Sequence, residues 1–499
     1  MLLSSTSRLR LLAWTLNAGL SLLVHSVAAT EQKSASVCAY LRFELGQSIV
    51  QLQNDEYYTK AMANPYSLFN TVSRPSCVVV PTSTAHVQAA MKAINRGRVR
   101  YAVQAGGHSA MTGWNNVQDG VLIFFAKMNT ISYNTTTNRA TLGPGVRWED
   151  AIAALEPYGV APMGGRLGHI GTGLLLGGGI SYLASEHGWS SDAIRAMDVV
   201  LVDGNKVTAT RSNAYSDLFR ALKGGGSRFG IVTRFEVEPI VVGRQTDKNW
   251  YGGLIFYPES SGEALIRATQ KFVQNTKDPK TALLVVMAYV IQDGAPVSSH
   301  TVSLFYRGSS LPHSIFGDFL DTPSTSQLLG PLSYTEVANI FGSGDYRDSG
   351  ERFTGSAFSG GVGQYLKAFN DWKLHTARSA HALNSTVFAF TPILQSQIQV
   401  ARDSGGNAIN PTLKSYASVH WQSTFIAGAL TVPTDVEHSL DWLMTSNPPS
   451  TGAPLDLNES QKNQNVYKTY GDYAFMKRVY AKYDPTRFNV RYSDGPIGL

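Results

Sequence analysis

The feature that most constrains the fold of this chain is the clustering of glycine in its first half. Four clusters recur there: Gly106-Gly107, Gly164–Gly173, Gly177-Gly178-Gly179 and Gly224-Gly225-Gly226. Each cluster lies beside the end of a predicted strand or helix. Glycine lets the backbone approach a ligand closely, and the backbone N–H groups of such turns bind anions. The clusters therefore predict a large anionic ligand that is contacted at many points, such as a dinucleotide.

A Rossmann dinucleotide-binding fold is the obvious alternative for the same residues. Gly171, Gly173 and Gly177 approach its fingerprint, and Asp192 follows where an acidic residue would bind a ribose. The spacing is GxGxxxG, however, which is one residue too long. Residues 163–169 are also rich in glycine, where the fingerprint requires a buried strand. We therefore disfavour a Rossmann fold.

The second half of the chain has a different pattern. At 499 residues the chain is long enough for two domains. Beyond about residue 240 the glycine clusters give way to long β-type runs, with helices such as Ser261–Asn275 between them. Strands are predicted at Gly253–Tyr257, Leu283–Ile291, Thr301–Tyr306 and Val387–Pro392. This pattern predicts a mainly antiparallel sheet with helices on one face.

The charge pattern and the N-terminus restrict the partners and the compartment. The net charge is +6, yet no five basic residues occur in a row, which disfavours nucleic-acid binding. Arg8 and Arg10 precede the apolar run Leu11–Val24, and small residues follow at 26–28. We expect residues 1–28 to be a cleaved signal peptide, so that no membrane span remains. The protein would then be secreted or held in vesicles of the secretory pathway.

Two further features fit that compartment. Cys38 and Cys77 are the only cysteines, and an isolated pair in an oxidising compartment usually forms a disulfide, with two unrelated buried thiols as the alternative. Asn134 and Asn384 begin N-x-S/T sequons and are expected to carry glycans. Asn458 begins a third sequon.

A set of motifs adds a resemblance to a known family. The motifs are Gly106-Gly107-His108-Ser109, Gly177-Gly178-Gly179, Asp217-Leu218-Phe219, Ala221-Leu222-Lys223-Gly224-Gly225-Gly226, Phe229-Gly230-Ile231-Val232-Thr233 and Lys482-Tyr483-Asp484-Pro485. In this order and spacing they resemble the berberine bridge enzyme-like family, which belongs to the vanillyl-alcohol oxidase or PCMH type of FAD-binding proteins. The resemblance runs from about residue 38 to the C-terminus, and the fungal members of secondary metabolism look most similar.

The resemblance implies an α+β fold with a two-subdomain PCMH-type FAD-binding domain and a substrate domain, in which an antiparallel sheet is flanked by helices. We expect the N-terminal arm and FAD domain over 29–240 and the substrate domain over 241–440. Residues 441–499 would return to the FAD domain. The resemblance also implies the disulfide between Cys38 and Cys77.

The same resemblance implies FAD linked covalently through His108. Many relatives add a second link from a cysteine, but Leu167 stands about where that sulfur would be, so a single link is expected. No metal is expected. The expected FAD-binding residues are Gln104, Gly106, Gly107, His108, Ser109, Gly165, Leu167, Gly171, Gly173, Gly177, Gly178, Gly179, Asp192, Gly230, Ile231, Val232 and Asn458.

The catalytic base is less evident. Family oxidases often carry a tyrosine beside the asparagine that matches Asn458, but Leu457 and Glu459 flank it here. Glu459 itself is therefore a candidate base. Tyr182 lies three residues beyond the last glycine of the triple glycine. Tyr416 and His420 share one face of a predicted strand by its period of two, and a histidine suits proton removal near neutral pH.

These observations favour an oxidase that transfers a hydride from an alcohol or activated C–H group of a small organic molecule to flavin N5, with dioxygen as acceptor and hydrogen peroxide as product. The protein would act as a monomer. The alternatives are a flavoprotein cyclase or isomerase, an oligosaccharide oxidase, and a non-catalytic flavin-binding or carbohydrate-binding protein.

Overall fold

Two sheets of moderate size and one large sheet set the architecture of residues 31–499, the part of the chain that the computed structural model describes. The signal peptide predicted for residues 1–28 lies outside the described residues. Within residues 31–499, no helix is both long and apolar enough to cross a membrane.

The first sheet contains strands β1 (Val50–Gln51), β2 (Cys77–Val79), β3 (Tyr101–Gln104) and β4 (Val121–Phe124) in the order β1-β2-β4-β3. Strands β2, β4 and β3 run parallel. Parallel neighbours need a crossover, which helix α3 (Thr84–Gly97) supplies after helices α1 (31–45) and α2 (Glu56–Ala63). The predicted disulfide joins Cys38 in α1 to Cys77 in β2 and is confirmed.

The second sheet is antiparallel and follows the order β5-β6-β10-β8-β9. Its strands are β5 (Ile131–Asn134), β6 (Arg139–Leu142), β8 (Ile194–Val200), β9 (Lys206–Thr210) and β10 (Ile231–Val237). A hairpin at Gly204 joins β8 and β9. A separate short pair joins β7 (Val160–Ala161) to β11 (Ile240–Val241). The helices of this region are α4 (Trp148–Leu155), α5 (Ala184–His187) and α6 (Ser216–Gly225).

The third sheet has eight antiparallel strands in the order β16-β12-β15-β13-β18-β19-β17, with β14 paired to β13. Its strands are β12 (Trp250–Tyr257), β13 (Thr281–Gln292), β14 (Ala295–Ser298), β15 (His300–Tyr306), β16 (Ser326–Leu332), β17 (Glu351–Phe358), β18 (Leu383–Ile393) and β19 (Tyr416–Phe425). The helices are α7 (Gly262–Asn275), α8 (His313–Leu320), α9 (Tyr334–Ala338), α10 (Val362–Ser379), α11 (Gln395–Asp403) and α12 (Thr434–Ser446). This is the predicted antiparallel sheet.

One face of this large sheet is buried by helices. Phe272 of α7 and Trp372 of α10 belong to the same core cluster as Trp421 of β19. Because side chains alternate along a strand, the neighbours of Trp421 point to the opposite face. That opposite face is the one that meets the glycine-rich region.

The C-terminal segment packs back on the first half. Helices α13 (Tyr473–Tyr483) and α14 (Phe488–Tyr492) complete the chain. Asp217 in α6 accepts hydrogen bonds from Lys482 Nζ at 2.7 Å and from the Tyr483 hydroxyl at 2.8 Å. Helix α13 begins only at Tyr473, because the chain turns before it at Gly471, whose N–H donates to the Ile409 carbonyl at 2.9 Å.

Candidate functional site

A cavity of about 680 Å³ lies where the glycine turns meet the open face of the eight-stranded sheet. That volume suits a small-molecule or cofactor site. Many of the expected cofactor-binding residues line it: Gly106, Gly107, His108, Ser109, Gly165, Leu167, Gly171, Gly173, Gly230, Ile231, Val232 and Asn458. Two of the four glycine clusters, Gly106-Gly107 and Gly164–Gly173, therefore converge on one space.

The glycine side of the cavity, which we call the glycine wall (Gly106, Gly107, Gly171, Gly173), depends on backbone contact. A Cβ on Gly106 would lie 2.5 Å from the backbone nitrogen of Gly171, so neither turn has room for a side chain. A Cβ on Gly173 would meet no atom within 4 Å. The Arg147 guanidinium holds the wall by donating to the Gly106 carbonyl at 2.7 Å. The wall thus combines a fixed backbone with open space in front of it.

His108 follows directly after this turn and lines the cavity. Its ring stacks on Tyr66 with centroids 4.2 Å apart and lies 4.5 Å from the ring of His169. Its Nε2 atom is buried and has no hydrogen-bond partner among the described residues. Burial, and then the neighbouring groups His169, Arg347 and Arg147, hold the pKa of His108 well below its usual value. The imidazole is therefore neutral and carries an available lone pair.

The opposite side of the cavity, which we call the sheet face, consists of side chains from β13, β18 and β19. Leu284, Val286, Val387 and Ala389 make it apolar, while Thr391, His420 and Gln422 add polar groups at its edge. Their neighbours along the same strands, such as Val285 and Trp421, belong to the core cluster on the other face of the sheet. The alternation of β-strands thus divides each strand between core and cavity.

A pair of carboxyl groups also lines the cavity. Asp456 caps the short 3-10 turn Leu457–Glu459 by accepting from the Asn458 N–H at 2.9 Å, and Glu459 ends the same turn. Burial, and then the charge of Glu459, raise the pKa of Asp456 to about 7. Burial also raises the pKa of Glu459. Its side chain nevertheless keeps 28% of its surface exposed, because it lines the cavity.

His420 contacts this pair. Its Nδ1 atom lies 3.6 Å from the Glu459 carboxyl oxygen. Burial lowers the pKa of His420 to about 4, so the ring is neutral near pH 7. The structure therefore brings two of the four candidate bases, His420 and Glu459, together at the cavity.

The other two candidate bases, Tyr182 and Tyr416, do not line the cavity. Tyr182 is buried against Phe305, with ring centroids 4.9 Å apart, in a cluster that excludes the cavity. Tyr416 is at the first residue of β19 and lies in the core beside Leu455. The strand period assigned Tyr416 to the same face as His420, but the cavity ends before Tyr416 is reached. The expectation that Tyr182 or Tyr416 acts as the base is therefore corrected.

Several expected FAD ligands lie behind the wall instead of on it. Gln104 donates to the backbone carbonyls of Ala61 and Asn115 at 3.1 and 3.0 Å. Gly177, Gly178 and Gly179 do not line the cavity, and a Cβ on Gly177 would contact the amide of Asn458. These residues support the site from outside.

The expectation that Asp192 binds FAD is also corrected. Its carboxylate is buried 3.4 Å from Lys223 Nζ and accepts from Asn407 at 3.1 Å and from the Trp189 N–H at 2.9 Å. It therefore belongs to an internal ion pair that fixes the loop behind Gly178, and not to the cavity lining.

Sequence reasoning missed several cavity residues, among them Tyr66, Arg166 and Asp456. Tyr66 comes from the N-terminal arm, far from His108 along the chain, and no pattern linked them. Arg166 and Asp456 each stand one or a few residues from an assigned position, beside Leu167 and before Glu459. A charged residue inside a motif that otherwise approaches a ligand was the available signal for both.

Comparisons with known proteins agree with this geometry. The FAD binding domain family matches residues 75–210. An uncharacterised FAD-linked oxidoreductase of Arthroderma benhamiae is 29% identical over 489 residues, covering 93% of this chain and 95% of that protein. A FAD-dependent monooxygenase of Penicillium roqueforti is 30% identical over 414 residues, covering 78% and 77%. The structure of Physcomitrella patens BBE-like 1 superposes with a TM-score of 0.71 at 19% identity, covering 90% and 97%.

The fold and the cavity first define an oxidoreductase that uses FAD. With the relatives above, they show that the chain belongs to the berberine bridge enzyme-like family of FAD-linked oxidoreductases. The family resemblance drawn from the sequence motifs is thereby confirmed.

The residues of the cavity fit FAD. The turn of Gly106 and Gly171 excludes side chains, and the backbone of Gly173 faces open space, as a bound dinucleotide requires. The Nε2 of His108 is a buried polar atom to which residues 31–499 offer no hydrogen-bond partner. The glycine wall, with Ser109 and Val232, would hold the cofactor.

Proposed function

We propose that the protein is an oxidase of a small, largely apolar organic molecule, which it oxidises at an alcohol or activated C–H group with dioxygen as acceptor and hydrogen peroxide as product. FAD supplies the hydride acceptor and the route of two electrons to dioxygen. The observation that carries the proposal is that the glycine wall and the apolar sheet face enclose the same cavity, with ionisable groups in its lining.

We further propose that His108 is the single covalent attachment point for FAD. A neutral imidazole with a free nitrogen is the form that could bond to the 8α-methyl carbon of FAD, and burial keeps His108 in this form. That carbon would lose a C–H bond, and the two electrons would enter the flavin ring and pass to dioxygen. Stacking on Tyr66 fixes the plane of the ring. No second attachment through sulfur is available, because both cysteines form the disulfide.

We assign the removal of a proton from the substrate to the carboxyl pair Asp456 and Glu459. A general base works best when its pKa lies near the working pH. Asp456, with its pKa at about 7, meets this condition, and the pKa of Glu459 is raised in the same direction. His420 binds a proton too weakly for this role. It acts as a positioning residue through its contact with Glu459.

The compartment is proposed on two observations. The disulfide between Cys38 and Cys77 is typical of proteins that fold in an oxidising environment. The side chains of Asn134 and Asn384 are exposed and open to glycosylation, whereas Asn458 lines the cavity and donates to the Leu174 carbonyl at 3.3 Å. We propose secretion or vesicular retention, with glycans on the first two asparagines only.

The acceptor can be tested without knowing the substrate. The purified protein is reduced with dithionite in the absence of air and then mixed with dioxygen, while flavin absorbance and peroxide are recorded. The proposal predicts fast reoxidation with one peroxide per flavin. Reduced flavin that persists in air would instead indicate a dehydrogenase. Turnover of an identified substrate without peroxide would favour the cyclase alternative, which the lack of a tyrosine beside Asn458 leaves open.

A further inference from the structure

Arg166 is a cation in the cavity lining for which the described residues provide no ion-pair partner. Within residues 31–499, no carboxylate oxygen lies within 4.0 Å of its guanidinium nitrogens. Its Nη1 atom donates to the Thr391 hydroxyl at 2.9 Å. A guanidinium has five N–H donors, so this one hydrogen bond leaves most of them unused.

The remaining donors have access to the cavity. The Arg166 side chain is half-buried and lines the cavity. Thr391, at the end of β18, holds one edge of the guanidinium and so fixes its plane. A planar guanidinium whose orientation is fixed in advance binds a carboxylate through two parallel hydrogen bonds at low entropic cost.

The surroundings make such an anion site stronger. The sheet face beside Thr391 is apolar, with Val387 and Ala389 on the same strand, and low polarity strengthens the attraction between opposite charges. The nearby acids Asp456 and Glu459 sense the guanidinium, whose charge lowers the pKa of each, but burial outweighs this effect and raises both pKa values. Both acids therefore favour the neutral form below neutral pH, and neither forms an ion pair with Arg166 within 4.0 Å.

We propose that the substrate of this enzyme is a carboxylic acid with an apolar body, whose carboxylate binds Arg166 while its body packs on the sheet face. The inference rests on the proposed function for the oxidation itself, but anion binding by Arg166 stands independently of it. It assigns the substrate class and makes Arg166 and Thr391 determinants of specificity.

Benzoate and its neutral analogue benzamide provide the test. Both are titrated into the purified protein just below neutral pH at constant ionic strength, and binding is followed by calorimetry and by the change in flavin absorbance. We expect benzoate to bind roughly 30-fold more tightly than benzamide, and Arg166→Gln to remove that difference while leaving benzamide binding unchanged. Thr391→Val should lose part of the difference, and Arg166→Lys should retain part.

Arg267→Gln is the matched control, since Arg267 is an exposed arginine of α7 paired only with Glu263 at 3.7 Å. It should leave both affinities unchanged. Equal affinity of the wild type for the two probes, including no binding of either, overturns the proposal. So does an Arg166→Gln variant that alters the flavin spectrum without changing benzoate binding, because Arg166 would then act on the cofactor. Calorimetry needs no flavin, so a colourless protein that prefers benzoate would refute the proposed oxidase and retain the anion site.

Discussion

The two sides of the cavity are built by opposite means. The glycine wall depends on backbone that touches backbone, as between Gly106 and Gly171, where no added atom fits. The sheet face depends on side chains that alternate with the core, as Val286 alternates with Val285. The difference suggests that the wall fixes the cofactor, while the sheet face can change with the substrate. Substitutions on the two sides should therefore affect different measurements.

Loss of the base should have the largest effect. Asp456→Asn removes the carboxylate whose pKa is raised to about 7, and we expect flavin reduction by substrate to slow by about 10² to 10⁴-fold. Flavin content should stay unchanged, because Asp456 is not part of the glycine wall. Asp441→Asn, at a half-buried residue of α12 outside the cavity lining, is the control and should keep the full rate. A rate within twofold of wild type for Asp456→Asn would remove the carboxyl pair from the mechanism.

The pH dependence of flavin reduction tests whether Asp456 is the base. A base works in its deprotonated form, so the rate should rise with pH through about 7, the pKa of Asp456, and level off above it. The rate of flavin reduction is measured across this range for the wild type and for Glu459→Gln. Because the charge of Glu459 raises the pKa of Asp456, the profile of the variant should shift to lower pH. A profile that falls with rising pH would indicate an essential acid instead.

The next largest effect is expected at the buried ion pair between Lys223 and Asp192. Lys223→Met leaves Asp192 charged and buried without its partner, which should cost about 3 to 5 kcal/mol of the free energy of unfolding. Denaturant unfolding measures this cost. Combining it with Asp192→Asn should restore part of the stability, since no buried charge then remains. If Asp192→Asn alone released the cofactor at unchanged stability, Asp192 would be a direct FAD ligand, as the sequence suggested.

One carbon atom added at Gly106 tests the close backbone contact of the glycine wall. Gly106→Ala places a Cβ 2.5 Å from the Gly171 nitrogen, so we expect about 1 to 3 kcal/mol of destabilisation and a lower flavin content. Flavin per protein is read from absorbance, and stability from thermal unfolding. Gly361→Ala is the control, because a Cβ there would meet no atom within 4 Å. Normal flavin content in Gly106→Ala would show that the wall does not need its close backbone contact.

The sheet face should respond most mildly. Val286→Ala widens the cavity, and we expect KM for an apolar substrate to rise by about three- to tenfold with flavin content unchanged. Val297→Ala, an exposed valine of β14 in the same sheet, should change neither quantity. Loss of flavin from Val286→Ala would contradict the division between the two sides.

The wall could be predicted from sequence, and the sheet face only in part. Glycine clusters report a local backbone requirement, so Gly106, His108 and Gly171 were placed correctly at the cavity. Strand periodicity assigned His420 to a face but could not say where along β19 the cavity ends, and Tyr416 was misplaced for that reason. Tyr66 reaches His108 only through tertiary folding, which no local pattern encodes.

The same limit explains the assignment of Asp192. Its position in the sequence matched a ribose ligand, but its environment is decided by Lys223 and Asn407, which lie far from it along the chain. The domain boundaries and the attachment at His108 stay predictions.

The central claim is that the cavity holds FAD attached to His108. The most direct test is the absorption spectrum of the purified protein before and after acid denaturation, for the wild type and for His108→Ala. The account predicts a yellow wild type whose flavin precipitates with the chain, and a variant that releases its flavin into the supernatant. Free flavin from the wild type would contradict the covalent attachment, and a folded but colourless wild type would contradict the flavin site itself.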